Sequence, residues 1–385
     1  MKVNGTPSRS LILTGGTGIL GSWILNEALE REMTPILLMR DENVHHAETR
    51  LNAVLRLLGK QSMRGAVQIV RGDAREPNLG LSLEDADALR SKVGAFIHCA
   101  ASTSFNPKDD ENLWATNVTG VENVLDFVSH TGMALYHIST AYVAGTRNDI
   151  AHEGDLDVGQ DFNNTYERTK CISEGLVREA FADGRSYGAI FRPSIIVGAT
   201  DHGKICDFQN FYGFLRLVDM ATARKPNEQM RIRLEGNADT DTNLVPVDWT
   251  AKALWHVIQT EGDRCLTYHL TNPYPDTVGR LKEWVNQIVS ESNVEFDVVR
   301  ELDGTPSPLE GIAHNAFQHY RVYLKHQPVF DRTNTVRATG EAVPFPQLGS
   351  DLYERLLNYA RAQRWRGALS SRALKHTAQP DAAAV

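Results

Sequence analysis

The feature that most constrains the fold is a glycine-rich turn between a short apolar segment and an amphipathic one. Residues 10–13 are typical of a buried strand, and residues 19–31 carry apolar side chains at helical spacing. The turn and the start of the helix consist of Thr14, Gly15, Gly16, Thr17, Gly18, Ile19, Leu20 and Gly21. A strand, a glycine turn and a helix in this order can bind a dinucleotide, because glycines let the backbone approach the pyrophosphate and the helix N-terminus attracts negative charge. We therefore expect these residues to contact such a cofactor, and the missing Gly-Lys-Ser/Thr argues against a P-loop.

Strand-like and helix-like segments alternate through the first half of the chain. This pattern predicts an α/β fold, a doubly wound parallel sheet of the Rossmann type. The predicted strands are residues 10–13, 35–39, 67–71, 95–98, 134–138 and 189–192. The predicted helices are residues 19–31, 47–58, 112–129 and 165–182.

The pattern changes after about residue 198. We predict a Rossmann domain over residues 8–200, with strands and helices returning near 240–260, and a smaller C-terminal substrate lobe over 201–365. Within that lobe we expect a helix at 207–222, a strand at 231–234, a strand at 244–247, and helices at 248–259 and 279–290. Residues 366–385 are rich in alanine, serine and polar side chains, which predicts a flexible tail.

Composition excludes several classes of protein. The net charge of −8 over 385 residues favours no nucleic-acid partner. No apolar run approaches the ~20 residues of a membrane span, and the N-terminus lacks the apolar stretch of a signal peptide, so we expect a cytoplasmic protein without a membrane span. The 4 cysteines have no metal-ligand spacing, and we predict no metal site.

Three residues have the chemistry of a reducing site. Thr140 follows the predicted strand at 134–138, and Tyr166 opens a helix in which Lys170 lies one turn later on the same face. A phenol can donate a proton to a carbonyl oxygen that becomes negative, a hydroxyl can add a hydrogen bond to it, and a nearby ammonium favours the phenolate. We therefore predict a Thr140, Tyr166 and Lys170 triad.

Longer sequence segments indicate a protein family. Residues 72–82 (GDAREPNLGLS), 97–106 (IHCAASTSFN), 137–145 (HISTAYVAG), 191–198 (FRPSIIVG) and 244–248 (LVPVD) are similar to segments of the thioester reductases. The chain thus resembles the extended short-chain dehydrogenases/reductases over residues 8 to 260. Within them it most resembles the terminal reductase domains of nonribosomal peptide synthetases, the carboxylic acid reductases and the fatty acyl-CoA reductases. Residues 323–324 and 330–335 are weaker matches to the C-terminal lobe of the same reductases.

The resemblance implies further site residues. Asn117 stands where the superfamily has an active-site asparagine, and Asp73 stands where the reductases place an aspartate by the adenine. The remaining implied cofactor contacts are Ala74, Ala100, Ala101, Ser102, Ser139, Pro193, Ser194 and Ile195.

Two neighbouring residues predict different cofactors. The resemblance implies NADPH, because Arg40, at the end of the second strand, stands where these reductases carry an arginine that contacts the 2′-phosphate. Asp41 supports the alternative, because an acidic side chain about twenty residues past a glycine turn can hold the ribose 2′-hydroxyl of NAD. We favour NADPH over NADH.

By resemblance, the substrate is an acyl thioester on the phosphopantetheine of a separate carrier protein, or an acyl-CoA. Reduction gives an aldehyde, and the sequence leaves open both a second reduction to the alcohol and the oligomeric state. An acidic carrier could dock on the basic residues Arg224, Lys225, Arg231 and Arg233, which are equally consistent with a solvated edge. The alternatives are a nucleotide-sugar epimerase or dehydratase, a hydroxysteroid-type dehydrogenase, and a non-enzymatic dinucleotide sensor.

Overall fold

Seven parallel strands form the central sheet of the protein. The computed structural model describes residues 9–40, 43–223, 229–307, 310–311 and 320–369, and the backbone of Lys2–Val3 and Thr6–Pro7. The strands are β1 (Ser10–Thr14), β2 (Thr34–Met39), β3 (Gln68–Arg71), β4 (Ala95–His98), β5 (Ala134–Ile138), β6 (Tyr187–Pro193) and β7 (Leu266–Leu270). Their order is β7-β6-β5-β4-β1-β2-β3, so the chain reverses direction across the sheet between β1 and β4. This is the predicted doubly wound fold, and it opens a crevice at the carboxyl ends of β1 and β4.

Both faces of the sheet are buried. Leu11 and Leu13 belong to one apolar cluster, whereas Ile12 between them belongs to another. Successive side chains of a strand point to opposite faces, so each face has its own core. This explains why β1 is a continuous apolar run rather than an alternating one.

Helices cover the two faces and also form a second apolar cluster outside the sheet, which is called the second lobe below. The α-helices are Ile19–Glu30, Val44–Leu58, Leu83–Arg90, Asp110–Trp114, Gly120–Val128, Thr165–Ala182, Phe211–Thr222, Val247–Glu261, Val278–Ile288, Thr333–Thr339 and Ser350–Ala362. Ala115–Thr119 forms a π-helical turn inside the predicted helix at 112–129. The predicted helix at 165–182 has its expected bounds, since Asn164 caps it by accepting a hydrogen bond from the backbone N–H of Glu167.

The second lobe contains a parallel pair of strands, Met230–Glu235 and Val294–Val299. Helices Phe211–Thr222, Val278–Ile288 and Ser350–Ala362 contribute to its apolar cluster. Short strands complete the described chain: Ile150–Ala151, Ile195–Val197, Asp241–Thr242, Leu244–Pro246, Asp276–Thr277 and Val329–Phe330. The boundary at residue 200 stays a prediction.

Several elements differ from the sequence analysis, which did not predict helices Leu83–Arg90, Thr333–Thr339 and Ser350–Ala362 or strand Val294–Val299. Two further differences have a clear physical cause. The expected helix at 207–222 begins at Phe211, because Asn210 has a φ of 55° and a ψ of −114° that no helix accommodates. The strand β7 was not predicted, because its polar residues Thr267 and His269 obscure the apolar run. Both are buried and hydrogen-bonded, to Arg178 and Arg192 respectively.

None of the described helices combines the length and the apolar character that crossing a bilayer requires. Residues 370–385 of the predicted tail lie outside the described residues.

Candidate active site

In the glycine turn, backbone atoms lie in close contact with the backbone of neighbouring residues. The N–H of Gly18 donates to the carbonyl of Gly15 at 2.8 Å. A Cβ on Gly21 would lie 2.0 Å from that carbonyl oxygen, and a Cβ on Gly15, whose φ is +69°, would lie 2.8 Å from the backbone nitrogen of Ala100. Side chains at Gly15 and Gly21 are therefore excluded, and the turn leaves the N-terminus of helix Ile19–Glu30 accessible to a ligand.

Thr14 joins the turn to the next strand of the crevice. Its buried hydroxyl oxygen lies 2.9 Å from Nδ1 of His98 and accepts the backbone N–H groups of Cys99 and Ala100 at 3.2 and 3.1 Å. The ends of β1 and β4 are therefore held together at the reversal point. Burial lowers the pKa of His98 to about 3, so its imidazole is neutral.

A cleft crosses the carboxyl ends of the strands. It consists of two adjoining hollows that share Gly15, Thr17, Gly18, Cys99 and Ala101. The first hollow is lined by further predicted residues, namely Ile19, Leu20, Gly21, Ser139, Thr140, Tyr166, Lys170, Pro193 and Ser194. The second is lined by Thr14, Gly16, Arg40, Asp73, Ala74 and Ala100. Thus most of the predicted site residues line one continuous cleft.

The three predicted catalytic side chains meet in the first hollow. All three residues line it, and the Thr140 hydroxyl accepts the backbone N–H of Tyr142 at 3.3 Å. The Lys170 ammonium is buried and donates to the carbonyl of Ile138 at 2.7 Å. The i, i+4 spacing on helix Thr165–Ala182 and the strand end after β5 bring these groups together.

The protonation states suit proton donation. Burial raises the pKa of Tyr166 to about 12, since it outweighs the opposing effect of the nearby Thr140 hydroxyl. Burial lowers the pKa of Lys170 to about 8, although the carboxylate of Glu174 opposes this. The sequence analysis expected the ammonium to favour the phenolate. In the structure, desolvation dominates and the phenol is neutral, the form that donates a proton.

Asn117 contacts a neighbouring loop. Its side-chain amide accepts the backbone N–H of Ser102 at 2.8 Å and donates to the carbonyl of Ser102 at 3.0 Å and to the hydroxyl of Thr169 at 3.1 Å. The π-helical turn presents the amide to both partners, which lie on different elements. Asn117 therefore connects the loop after β4 to the helix that carries Tyr166 and Lys170.

A buried cluster of charged side chains, centred on Glu174, lies next to the triad. Ser139 lines the cleft, yet its hydroxyl donates to Glu174 at 2.6 Å. Arg192 donates to the same carboxylate at 2.9 and 2.8 Å, and Arg178 at 2.9 Å. Burial raises the pKa of Glu174, but the two arginines outweigh it and hold the pKa below its usual value. This cluster links the residue before Thr140 to the turn after Lys170.

The second hollow carries positive charge. Arg40, Arg50 and Arg75 all line it, and Arg50 donates to the hydroxyl of Thr17 at 2.6 Å. Arg75 donates to the Asp73 carboxylate at 3.1 and 2.6 Å. Burial raises the pKa of Asp73, but the hydrogen bonds from Arg75 outweigh it, so the carboxylate is ionised. Asp41, on which the NAD alternative depends, lies outside the described residues.

Other predicted residues lie elsewhere. Ser102 is bonded to Asn117 and receives a hydrogen bond from Asn112, and it is not among the described residues that line the cleft. Ile195 lines a separate apolar cavity in the second lobe. Their contacts with a cofactor stay predictions.

Arg50, Arg75 and Glu174 were missed by the sequence analysis. Arg50 and Glu174 lie inside helices, where charged residues are common on solvated faces, so only helical periodicity could have pointed to them. Arg75 lies within the family-like segment at 72–82, but nothing in the sequence distinguishes it from other charged loop residues.

Comparison with known proteins identifies relatives. The sequence profile of the male sterility protein family of NAD-binding domains matches residues 13–254. A carboxylic acid reductase of Mycobacterium tuberculosis is 26% identical over 310 residues, which cover 74% of this chain and 26% of that protein. An isonitrile lipopeptide synthase of the same organism is 27% identical over 306 residues, covering 73% of this chain and 12% of that protein. The chain therefore spans only about a quarter or less of the length of these two relatives.

Solved structures share the fold. The terminal R domain from the myxalamid PKS-NRPS biosynthetic pathway superposes with a TM-score of 0.77 at 23% identity, covering 93% of this chain and 92% of that one. A UDP-glucuronic acid 4-epimerase from Bacillus cereus superposes with a TM-score of 0.64 at 15% identity, covering 92% and 99%. The architecture alone therefore does not separate reductases from epimerases. The profile match extends over more than half of the chain and includes the glycine turn and the triad, so the chain belongs to the male sterility protein family of NAD-binding domains.

Proposed function

We propose that the protein is an NADPH-dependent reductase that converts an acyl thioester to an aldehyde. The observation that carries the proposal is that Thr140, Tyr166 and the buried Lys170 line one hollow, at the end of the cleft that the glycine turn opens. The relatives support the choice of substrate, because carboxylic acid reductases recur among them.

The cleft fits a nicotinamide dinucleotide. The backbone contacts at Gly15 and Gly21 leave no room for a side chain, and the N-terminus of helix Ile19–Glu30 opens into both hollows through Thr17 and Gly18. When bound, a reduced dinucleotide supplies the hydride. Asp73 balances the charge of Arg75, so among the lining residues of the second hollow Arg40 and Arg50 give net positive charge. This charge favours a ligand with an additional phosphate and supports NADPH over NADH.

The residues of the chain then act on the thioester carbonyl. Thr140 and Tyr166 donate hydrogen bonds to the carbonyl oxygen, and the neutral phenol of Tyr166 transfers its proton as negative charge develops there. Lys170, which lines the same hollow, carries positive charge when protonated and favours the phenolate that remains. The resulting hemithioacetal loses its thiol as the carbon–sulfur bond breaks, and the aldehyde is released.

The acyl group arrives on a phosphopantetheine thiol, either of a separate carrier protein or of CoA. The solved thiolation-reductase di-domain from an archaeal non-ribosomal peptide synthetase supports the carrier, because it has the same fold as this chain at a TM-score of 0.71. The described part of the basic stretch does not favour docking there. Arg231 is paired with Asp297, and Arg233 with Asp303 and Glu310.

The test is NADPH oxidation with acyl-CoA and acyl-pantetheine thioesters, with the carbonyl product identified as aldehyde or alcohol. Tyr166→Phe is expected to reduce turnover by about a hundredfold or more, because it removes the proton donor, while NADPH binding measured by fluorescence titration is retained. Tyr187→Phe is the matched control, since its hydroxyl contacts the carbonyl of Gly132, outside the cleft.

Two results would refute the proposal. One is undiminished turnover in Tyr166→Phe. The other is turnover of a nucleotide sugar without NADPH consumption and with no thioester reduced, which would favour the epimerase alternative.

A further inference from the structure

A further hollow, the Arg332 hollow, lies between Asp241, Asn272, Pro328 and Arg332, beyond the carboxyl end of β7. In parallel sheets ligands bind at such ends. The hollow holds about 310 Å³ of space accessible to water, compared with about 290 Å³ in the first hollow of the cofactor cleft. It shares no described residue with either hollow of that cleft. It is therefore a separate space, large enough for a small organic molecule.

The guanidinium of Arg332 has no anionic partner. Its Nε is buried without a hydrogen bond, and no described carboxylate forms an ion pair with it. Burial lowers the pKa of Arg332, although the charge of Glu153 opposes this. The Glu153 carboxylate already accepts hydrogen bonds from the backbone of His269 and the hydroxyl of Thr335. A buried cationic nitrogen without a partner is costly, and a bound anion would remove that cost.

Two aromatic rings hold the Arg332 side chain in place. Its Cζ lies 5.8 Å from the ring centroid of Trp249 and 5.9 Å from that of Phe345. A guanidinium packed against aromatic rings loses less freedom when it binds an anion, and its fork of N–H groups matches a carboxylate. The side chain is thus prepared for an anion that the described protein does not supply.

Asn272 is a second donor without an acceptor. The residue is only 6% exposed and lines the hollow, and its Oδ1 accepts the backbone N–H of Tyr274 at 2.8 Å. Its backbone is fixed by Asn243, which accepts its N–H at 2.8 Å and donates to its carbonyl at 3.0 Å. The side-chain NH2 of Asn272 donates to no acceptor in the described part of the chain. Buried donors of this kind call for a ligand or a water molecule.

The negative charge of the hollow comes from Asp241. Its carboxylate, of intermediate exposure, forms no ion pair or hydrogen bond with the described residues. Burial raises the pKa of Asp241, and no cation opposes this, so Arg332 is not its partner. The two lining charges cancel formally, yet each lacks a counterion. A simple anion would meet the charge of Asp241 and a simple cation that of Arg332, whereas a ligand with both charges suits both residues.

The walls do not bring these charges together. Pro273, Pro275 and Pro328 restrict the backbone of the two loops on either side. Gln327, which precedes Pro328, accepts a hydrogen bond from the hydroxyl of Tyr142 at 3.3 Å and donates to a backbone carbonyl at 3.2 Å. The hollow is therefore formed before a ligand arrives, which lowers the entropy lost on binding.

From these observations we infer that the Arg332 hollow binds a small zwitterion, a molecule with one carboxylate and one ammonium group on an aliphatic skeleton. The carboxylate accepts hydrogen bonds from Arg332 and Asn272, and the ammonium pairs with Asp241. The site lies outside the cofactor cleft, and the inference does not depend on the proposed reduction.

The first experiment measures binding to the full chain without cofactor or thioester. Ligand-observed NMR and isothermal titration with glycine, β-alanine, 4-aminobutyrate and 6-aminohexanoate vary the separation of the two charges. One separation is expected to bind about tenfold or more tightly than the others, because both ion pairs form only when it fits the hollow. The acid and the amine that correspond to this ligand, each without one charge, are expected to bind about tenfold more weakly.

A matched pair of variants tests the carboxylate end. Arg332→Met keeps the apolar stem of the side chain, removes the charge, and is expected to weaken binding of the best zwitterion by about tenfold or more. Arg264→Met removes the same charge outside the hollow, where Arg264 is exposed and Glu261 keeps Arg337 as a second partner. This control is expected to bind like the wild type.

A second pair tests the ammonium end. Asp241→Asn preserves the shape of the side chain and is expected to weaken binding of the zwitterion by about tenfold, while binding of the matching acid is not weakened. Asp239→Asn is the control, since Asp239 is exposed, precedes Asp241 by two residues and does not line the hollow. Thermal unfolding of all four variants checks that each is folded.

The outcomes decide the inference. Losses in Arg332→Met and Asp241→Asn, with neither control affected, support the zwitterion site. No binding by any of the four zwitterions overturns it, because water alone then fills the hollow. The acid binding as tightly as the zwitterion, or equal losses in a variant and its control, also overturns it.

Discussion

The cofactor cleft and the apolar cavity of the second lobe adjoin at Asn210, which lines both, yet they are constructed in different ways. The cleft depends on backbone atoms in contact across a single turn, as at Gly15 and Gly21, and on residues that directly follow parallel strands. The cavity depends on side chains from elements scattered over residues 195–327. The comparison teaches that the cleft tolerates almost no change of backbone space, because backbone atoms touch there, whereas the shape of the cavity is set by side chains.

The largest expected effect contrasts two glycines. Gly21→Ala should weaken binding of NADPH by about a hundredfold or more, because the new Cβ would lie 2.0 Å from the carbonyl oxygen of Gly15 and the turn must open. Gly213→Ala is the control in a helix of the second lobe, where no atom lies within 4 Å of the added Cβ, and it should stabilise the protein by up to about 1 kcal/mol. Fluorescence titration and thermal unfolding measure the two effects. Equal binding of NADPH by both variants would contradict this view of the turn.

The next effect concerns pH. The pKa of Lys170 is lowered to about 8 by burial, and the protonated ammonium is the form that supports Tyr166. Activity should therefore be full below that pH and fall by about tenfold per pH unit above it, while Tyr166, with its pKa raised to about 12, stays neutral. The measurement is kcat/KM for a short thioester between about pH 6 and pH 10. Lys170→Arg should abolish the alkaline decline at a lower overall rate, and a wild-type profile that stays flat to the alkaline end would count against the assignment.

A smaller effect tests the charged end of the cleft. Arg40→Ala should raise the KM for NADPH by about tenfold and leave that for NADH nearly unchanged, because a charge-assisted hydrogen bond to the 2′-phosphate is lost. Steady-state kinetics with both cofactors provide the measurement, and NADH is the internal control. Equal losses with the two cofactors would indicate that Arg40 does not contact the 2′-phosphate.

The smallest effect tests the connection between the two regions. Tyr323 lines the cavity, and its hydroxyl bonds to Glu167 and Asn164 at the start of the helix that carries Tyr166. Tyr323→Phe should lower kcat by about fivefold and the free energy of unfolding by about 1 kcal/mol, since Glu167 loses a buried partner. Stopped-flow reduction of a short thioester and denaturant unfolding measure both. An unchanged kcat and an unchanged free energy of unfolding would mean that these two hydrogen bonds do not support the helix.

The parts of the site that were predicted are those whose signals are local. The glycine turn and the i, i+4 pair Tyr166 and Lys170 each occupy one element, and helix Thr165–Ala182 has a clear cap. The parts that were missed depend on partners distant in sequence. Glu174 acquires its role from Ser139, Arg178 and Arg192, and β7 is a strand because it pairs with β6.

The sequence alone determined the strand–turn–helix unit, six of the seven strands of the central sheet, and the residue types of the triad, because each follows from periodicity or from the geometry of one turn. Only the tertiary structure decided that burial keeps the Tyr166 phenol neutral, that Asn117 contacts Ser102 and Thr169, and that a cavity lies beside the triad. Desolvation and cavity shape depend on groups from many elements at once, and no local pattern records them.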